Sequence, residues 1–273
     1  MVTKLIQGVE VPELGFGTYK LIGKECEQAV KLALNLGYRH IDTAQSYKNE
    51  REVGNAIKQA HIKRDELYVT TKIDINNLAP DDVIKSTEHS LQDLDIPYID
   101  LLLIHWPNPE FDIEKTIEAM LSIRDQGRAL NIGVSNFPMK ELKEVNEELS
   151  APIFCNQVEY HPLLGQFGLL EYASEHDLMV TAYSPLAQGA IIQNPLMIEL
   201  AKKYEKSPAQ IALRWLIEQE QVVAIPKASS RKHMEENLDI YDFTLDDDDF
   251  YAIDDLDKTQ RTVDPDFAPN WDN

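Results

Sequence analysis

Four side chains in this sequence could together move a proton onto a carbonyl oxygen. They are Asp42, Tyr47, Lys72 and His105, spread over 64 positions. The stretch HIDTAQSYKNE (40–50) supplies the first two. Its start reads as a buried strand, yet Asp42 sits within it. A carboxylate there is costly unless a positive group meets it. LYVTTKI (67–73) carries Lys72 towards its end, and DLLLIHW (100–106) carries His105. A free phenol titrates near 10, too high for easy proton donation near neutrality. A neighbouring ammonium favours the phenolate and lowers that value. We therefore expect Lys72, held by Asp42, to activate Tyr47 as general acid, with His105 orienting or polarising the carbonyl.

Taken singly, each residue has a plainer reading. A lone strand lysine snorkels to solvent, and a lone histidine or aspartate is a hydrogen-bonded structural group. What favours chemistry is convergence, and that depends on the elements that carry them. Eight strand-like runs alternate with helical patterns: 14–18, 39–44, 67–73, 100–106, 129–135, 154–160, 179–185 and 222–227. In KECEQAVKLALNLG the apolar positions Ala29, Val30, Ala33, Leu34 and Leu36 form one stripe, ended by Gly37. In SPAQIALRWLIEQE, Ser207 suits an N-cap and Pro208 the first helical position. Such alternation predicts βα units on a parallel sheet. The expected fold class is α/β, a single-domain (β/α)8 barrel over residues 1–257; a doubly wound sheet is the alternative. DDDD at 246–249 reads as the acidic start of a last helix. KTQRTVDPDFAPNWDN (258–273) lacks periodicity and reads as an arm, either frayed or folded over the barrel mouth.

In a parallel barrel the strand C-termini share one face, where chemistry gathers. Ser135, Asn136 and Gln157 at later strand ends offer groups able to grip a carboxamide, and Tyr183 could stack on a flat ring. IPKASSRKHMEENL brings Lys227, Ser229, Ser230 and Arg231 before a helix N-terminus, an anion site. No GxGxxG precedes a helix, so a Rossmann nucleotide domain is not supported.

Composition narrows the classes further. Lys and Arg number 26 and Asp and Glu 47, a net charge of −21. That charge repels phosphate backbones and anionic membranes, so neither nucleic acid nor membrane is an expected partner. Solubility is its main reading, and salt adaptation the lesser one. Cys26 and Cys155 form no CxxC or Cys/His cluster, so no disulfide framework and no metal site is expected. No apolar leader is visible and no run approaches the ~18 apolar residues of a membrane span, so the expected location is the cytoplasm.

The motifs LGFGTYK, GYRHIDTAQSYKNEREVG, TTKI, YIDLLLIHWP, IGVSNF, CNQVEYHP, AYSPLAQG and IPKASS…EENL, from about Val11 to Asp257, resemble the aldo-keto reductases, of the short microbial kind close to 2,5-diketo-gluconate reductases. The resemblance implies a metal-free, NAD(P)H-dependent barrel that reduces aldehydes and ketones as a monomer. It implies a tetrad of Asp42, Tyr47, Lys72 and His105. It implies nicotinamide contacts from Ser135, Asn136, Gln157 and Tyr183, and further cofactor contacts from Thr18, Tyr19, Ser184, Leu186, Lys227, Ser229, Ser230, His233, Glu236 and Asn237. Tyr19, Tyr47, His105 and Trp106 should line the substrate pocket, with Phe267 and Trp271 of the arm closing it. Two positions depart from the family pattern: Ala228 stands where a serine is usual, and His233 where an arginine is usual. Arginine forks a phosphate with permanent charge and histidine does not. We expect NADPH as cofactor, with weakened discrimination against NADH. Other classes weighed are a Schiff-base lysine enzyme built on Lys72 and a non-catalytic cofactor-sensing barrel.

Overall fold

The structure is a computed structural model and describes residues 2–271. It opens with an antiparallel hairpin absent from the sequence reading: β1 (Thr3–Ile6) and β2 (Val9–Pro12), with Ile6 opposite Val9. The turn is Gln7-Gly8, both at positive φ (46° and 78°), as tight hairpins favour. Each strand has four residues, too short for alternation to declare itself.

Eight parallel strands follow in chain order around one sheet: β3 (Phe16–Gly17), β4 (His40–Asp42), β5 (Tyr68–Ile73), β6 (Ile99–Ile104), β7 (Ala129–Ser135), β8 (Ile153–Glu159), β9 (Met179–Tyr183) and β10 (Val222–Ala224). The edges meet. Gly15 N donates to Ala224 O at 2.8 Å, Ala224 N to Glu13 O at 3.0 Å, and Gly17 N to Pro226 O at 3.1 Å. A Cβ on Gly17 would lie 2.9 Å from the Ile225 carbonyl oxygen, so this seam needs glycine. The expected (β/α)8 barrel is the observed fold, and the doubly wound alternative falls.

The helices form where their patterns place them. In α1 (Gly23–Leu36) Cys26, Ala29, Val30, Ala33 and Leu34 are buried, and Gly37 caps it at φ 110°. Helices α2 (Glu50–Ala60), α3 (Pro80–Leu94), α4 (Ile113–Asp125), α5 (Met139–Lys143) and α6 (Phe167–His176) continue the rhythm. A second helix, α7 (Pro195–Lys203), capped by Asn194, precedes α8 (Pro208–Glu218) and was not anticipated. At α8 the Ser207 side chain and Gln210 form a reciprocal capping box. α9 (Arg231–Leu238) starts at Ser230 and α10 (Asp247–Asp254) at Asp246, each accepting from the backbone N–H three residues on. Among the described residues no helix is long and apolar enough to cross a membrane.

Side chains alternate across each strand. One face packs the helices in a continuous apolar shell. The other fills the barrel, where Tyr68, Leu101, Leu103, Cys155, Met179 and Val223 pack with Ile6 and Val11 of the hairpin. The hairpin thus seals the N-terminal end, and the open end is the one where the strands finish.

Candidate active site

At the open end lies a cavity of ≈610 Å³. Asp42, Tyr47, His105, Ser135, Asn136, Gln157 and Tyr183 all line it. Asp42 ends β4 and Lys72 lies one residue before the end of β5, so strand periodicity turns both into the barrel. Lys72 Nζ donates to Asp42 Oδ1 at 2.5 Å and to the Thr43 carbonyl at 2.8 Å. Gln157 Nε2 donates to the other Asp42 oxygen at 2.8 Å. The pair is nearly sealed from water, at 0% and 2% side-chain exposure. Removing one member of such a pair is far costlier than never having it. Burial pulls the Lys72 pKa down, and the Asp42 charge opposes that pull.

Tyr47 ends a short 3₁₀ turn (Gln45–Tyr47) just after β4. Lys72 Nζ faces its ring, 5.1 Å from the centroid. The imidazole of His105 stands edge-on, with centroids 5.5 Å apart, and Tyr19 packs on the other side at 5.1 Å. The sequence led us to expect a lowered phenol pKa. The structure shows the reverse: burial, then the Asp42 charge, hold it well above its ordinary value. Asp42 offsets the ammonium as seen from Tyr47. The phenol therefore keeps its proton, as a donor must. His105 is held well below its ordinary value, first by burial and then by Lys72, so it is a neutral imidazole. Its Nδ1 lies 3.2 Å from Ser46 Oγ.

The predicted carboxamide-gripping residues form one network. Ser135 Oγ donates to the Gln157 carbonyl at 2.8 Å. Asn136, at φ 62°, donates through Nδ2 to the His105 carbonyl at 2.9 Å and accepts from Tyr183 OH at 2.7 Å. Ser184 and Lys227 also line the cavity. Thr18 is buried behind it and donates through Oγ1 to the Asp42 carbonyl at 2.9 Å. Leu186, Ser229, Ser230, His233, Glu236 and Asn237 are not among the residues lining this cavity. They follow β9 or lie in and before α9, beyond the Lys227 rim. Ser230 serves there as the α9 cap. Asn237 is buried, while the side chain of His233 is exposed. Arg231 and Lys232, the cations nearest position 233, pair with Glu235 (2.8 Å) and Glu236 (3.6 Å).

Trp106 packs edge-on against Phe267 at 5.4 Å and against Trp271 at 6.0 Å. Phe267 lines the cavity with Thr262, Val263, Asp264 and Pro265. The arm therefore supplies part of the cavity wall. Sequence reasoning missed Asn49, which is buried. Its Nδ2 donates to the Thr18 and Leu21 carbonyls (3.1 and 2.9 Å) and its Oδ1 accepts from Thr43 Oγ1 (2.6 Å). It ties the loop bearing Tyr19 to the loop bearing Tyr47. An asparagine after a turn gives no such signal in sequence.

Comparison with known proteins agrees with this fold. The profile of the aldo/keto reductase family matches residues 13–258. The glyoxal reductase of Bacillus subtilis (strain 168) is 39% identical over 259 residues, covering 94% of this chain and 93% of that one. The methylglyoxal reductase DkgB of Escherichia coli O157:H7 is 39% identical over 266 residues, 96% and 99% of the two chains. A crystal structure provisionally assigned as 2,5-diketo-D-gluconic acid reductase B superposes with a TM-score of 0.96 at 37% identity, over 99% and 97% of the chains. The chain belongs to the aldo/keto reductase family and is an oxidoreductase acting on carbonyl compounds.

Proposed function

We propose that this enzyme reduces small aldehydes and ketones to alcohols with NADPH, and that Tyr47 delivers the proton. The observation that carries this reading is the convergence of Tyr47, the Lys72–Asp42 pair and His105 on one cavity. The residues present fit a reduced dinucleotide. Ser135, Asn136 and Gln157 offer hydroxyl and amide groups beside the flat ring of Tyr183. Lys227 at the rim forms no ion pair among the described residues. A free cation beside an open cavity suits a phosphate.

When bound, the reduced nicotinamide supplies the hydride. The chain's own residues do the rest. Tyr47 OH donates a hydrogen bond to the substrate oxygen and then its proton. Lys72, kept charged by Asp42, stabilises the phenolate left behind. Neutral His105, with Nδ1 occupied by Ser46, presents Nε2 to the same oxygen. The aromatic walls, Tyr19, Trp106 and Phe267, exclude water and suit small carbonyl compounds with one polar end. The glyoxal and methylglyoxal reductases among the relatives make 1,2-dicarbonyl compounds the substrates to try first. Exposed His233, with Arg231 and Lys232 already paired, supports acceptance of NADH as well. The test follows the loss of reduced-nicotinamide absorbance with a carbonyl panel and each cofactor. Turnover with NADPH, and slower turnover with NADH, is expected. Tight cofactor binding with no turnover on any carbonyl would instead favour a cofactor-sensing barrel. A borohydride-trapped Lys72 adduct would favour Schiff-base chemistry.

A further inference from the structure

Glu159 is a buried carboxylate with no part in the chemistry above. It ends β8, two residues beyond Gln157 and so on the same face of the strand. Its side chain is fully shielded from solvent, and no lysine or arginine is ion-paired with it among the described residues. Hydrogen-bond donors ring it instead. His161 Nε2 lies 3.1 Å from Oε1. Thr262 donates through its backbone N at 2.9 Å and through Oγ1 to the same oxygen. Val263 N donates to Oε2 at 2.9 Å. The His161 Nδ1 accepts from Leu163 N at 3.2 Å, which leaves the proton on Nε2 and makes His161 a neutral donor. Burial alone would raise the Glu159 pKa, but these donors together hold it below its ordinary value.

All of these donors except His161 belong to the arm. From Thr262 the arm runs along the cavity wall, through Asp264 and Pro265, to Phe267. Its other tethers near this crossing include an exposed bond from Gln188 Nε2 to the Thr262 carbonyl at 3.1 Å, one from Gln260 N to the Leu163 carbonyl at 2.9 Å, one from Gly165 N to the Lys258 carbonyl at 3.1 Å, and a bridge between Leu164 and Thr259. Farther along, Arg261 stacks on Trp271 at 3.7 Å, and Trp271 Nε1 donates to Asp264 at 2.8 Å. The arm is thus internally braced and is tied to the barrel at its start by the Leu164–Thr259 bridge and farther on by Trp106; between these, the buried Glu159 carboxylate fixes Thr262 and Val263.

We propose that Glu159 is a positioning residue: by fixing Thr262 and Val263 it places the arm as one wall of the substrate cavity, and so sets how tightly the carbonyl compound is held. This rests on the carbonyl-reductase reading given above. A residue that only supports the fold would change stability and leave the balance between KM and kcat alone.

The test compares Glu159→Gln, Glu159→Asp and Thr262→Val in the full chain. The glutamine puts an NH₂ donor where donors already converge. The aspartate keeps the charge on a shorter stem, and Thr262→Val removes one donor from the arm side alone. With methylglyoxal as probe, Glu159→Gln is expected to raise KM about tenfold and change kcat by less than about threefold, the effect of one unsatisfied buried group. Glu159→Asp should recover part of the loss. Trypsin should cut after Arg261 about tenfold faster in Glu159→Gln, because the local opening is freed. Glu159→Gln with wild-type KM and wild-type Arg261 cleavage would overturn the proposal, and so would a lowered melting temperature with KM unchanged. If Glu159→Gln does not fold, Thr262→Val carries the same two readouts with a smaller expected rise, and a wild-type result there counts against the proposal. A wild type inert towards every carbonyl would defeat the reductase reading instead, while the cleavage rates would still report on the anchor.

Discussion

The barrel interior holds polar groups at both ends and treats them in opposite ways. On β4, His40 and Asp42, two residues apart, point the same way; on β5, Tyr68 and Lys72, four apart, do too. The upper pair is fully engaged: Asp42 has a partner on each oxygen, and the site opens onto a cavity. The lower pair packs edge-on, with ring centroids 4.9 Å apart, under the sealing hairpin. There neither the Tyr68 OH nor His40 Nδ1 has a hydrogen-bond partner of good geometry. His40 Nε2 meets Thr70 Oγ1 at 3.1 Å. Titratable groups in a barrel are therefore not enough for a site. Partnered charge facing an open cavity distinguishes the two ends.

The sharpest way to break that contrast is Lys72→Met. It leaves the buried Asp42 carboxyl without its cation, so the melting transition should lose about 3–5 kcal/mol. Turnover should fall about a thousandfold or more through loss of support for the phenolate. Normal turnover in a folded Lys72→Met protein would show that the ammonium is structural.

The lower end should respond only in stability. Burial pushes the His40 pKa down from 6.5 to about 4. The unfolded chain takes up that proton first as pH falls. Stability is therefore intact above about pH 6.5 and declines as pH falls towards 4, by about 3 kcal/mol in all. His40→Leu should flatten that part of the stability–pH curve, read by denaturant titration, and leave turnover within about twofold of wild type. A steep loss of turnover would erase the distinction between the two ends.

The smallest effect concerns the outer rim. His233→Arg should raise the preference for NADPH over NADH about tenfold, the worth of one charge-assisted bond to a phosphate. Dissociation constants for both cofactors would show it, and an unchanged ratio would place the phosphate away from α9.

The eight barrel strands and the polar residues at their ends, Asp42, Lys72 and His105 among them, could be read from sequence because each carries its signal locally. Asp42 interrupts an apolar run, and Lys72 and His105 stand at strand ends. The hairpin gave little, since four-residue strands around Gln7-Gly8 leave almost no pattern. Helix α7 had its cue in Asn194-Pro195, beside a long turn (187–193) that hid it. The direction of the Tyr47 shift was missed because burial depth is not written in sequence, and burial is the largest cause of the rise. The arm could be read only as extended. Its anchor could not be found, because a glutamate in a strand looks the same whether it meets water or Thr262.

The most direct test of the central claim is Tyr47→Phe, assayed for turnover and for NADPH affinity on the same preparation. The substitution removes one oxygen and keeps the ring between Tyr19 and His105. We expect kcat/KM to fall by about 10²–10⁴ while the NADPH dissociation constant stays within about threefold. A Tyr47→Phe enzyme that keeps wild-type turnover would contradict it, for the proton would then have to come from elsewhere.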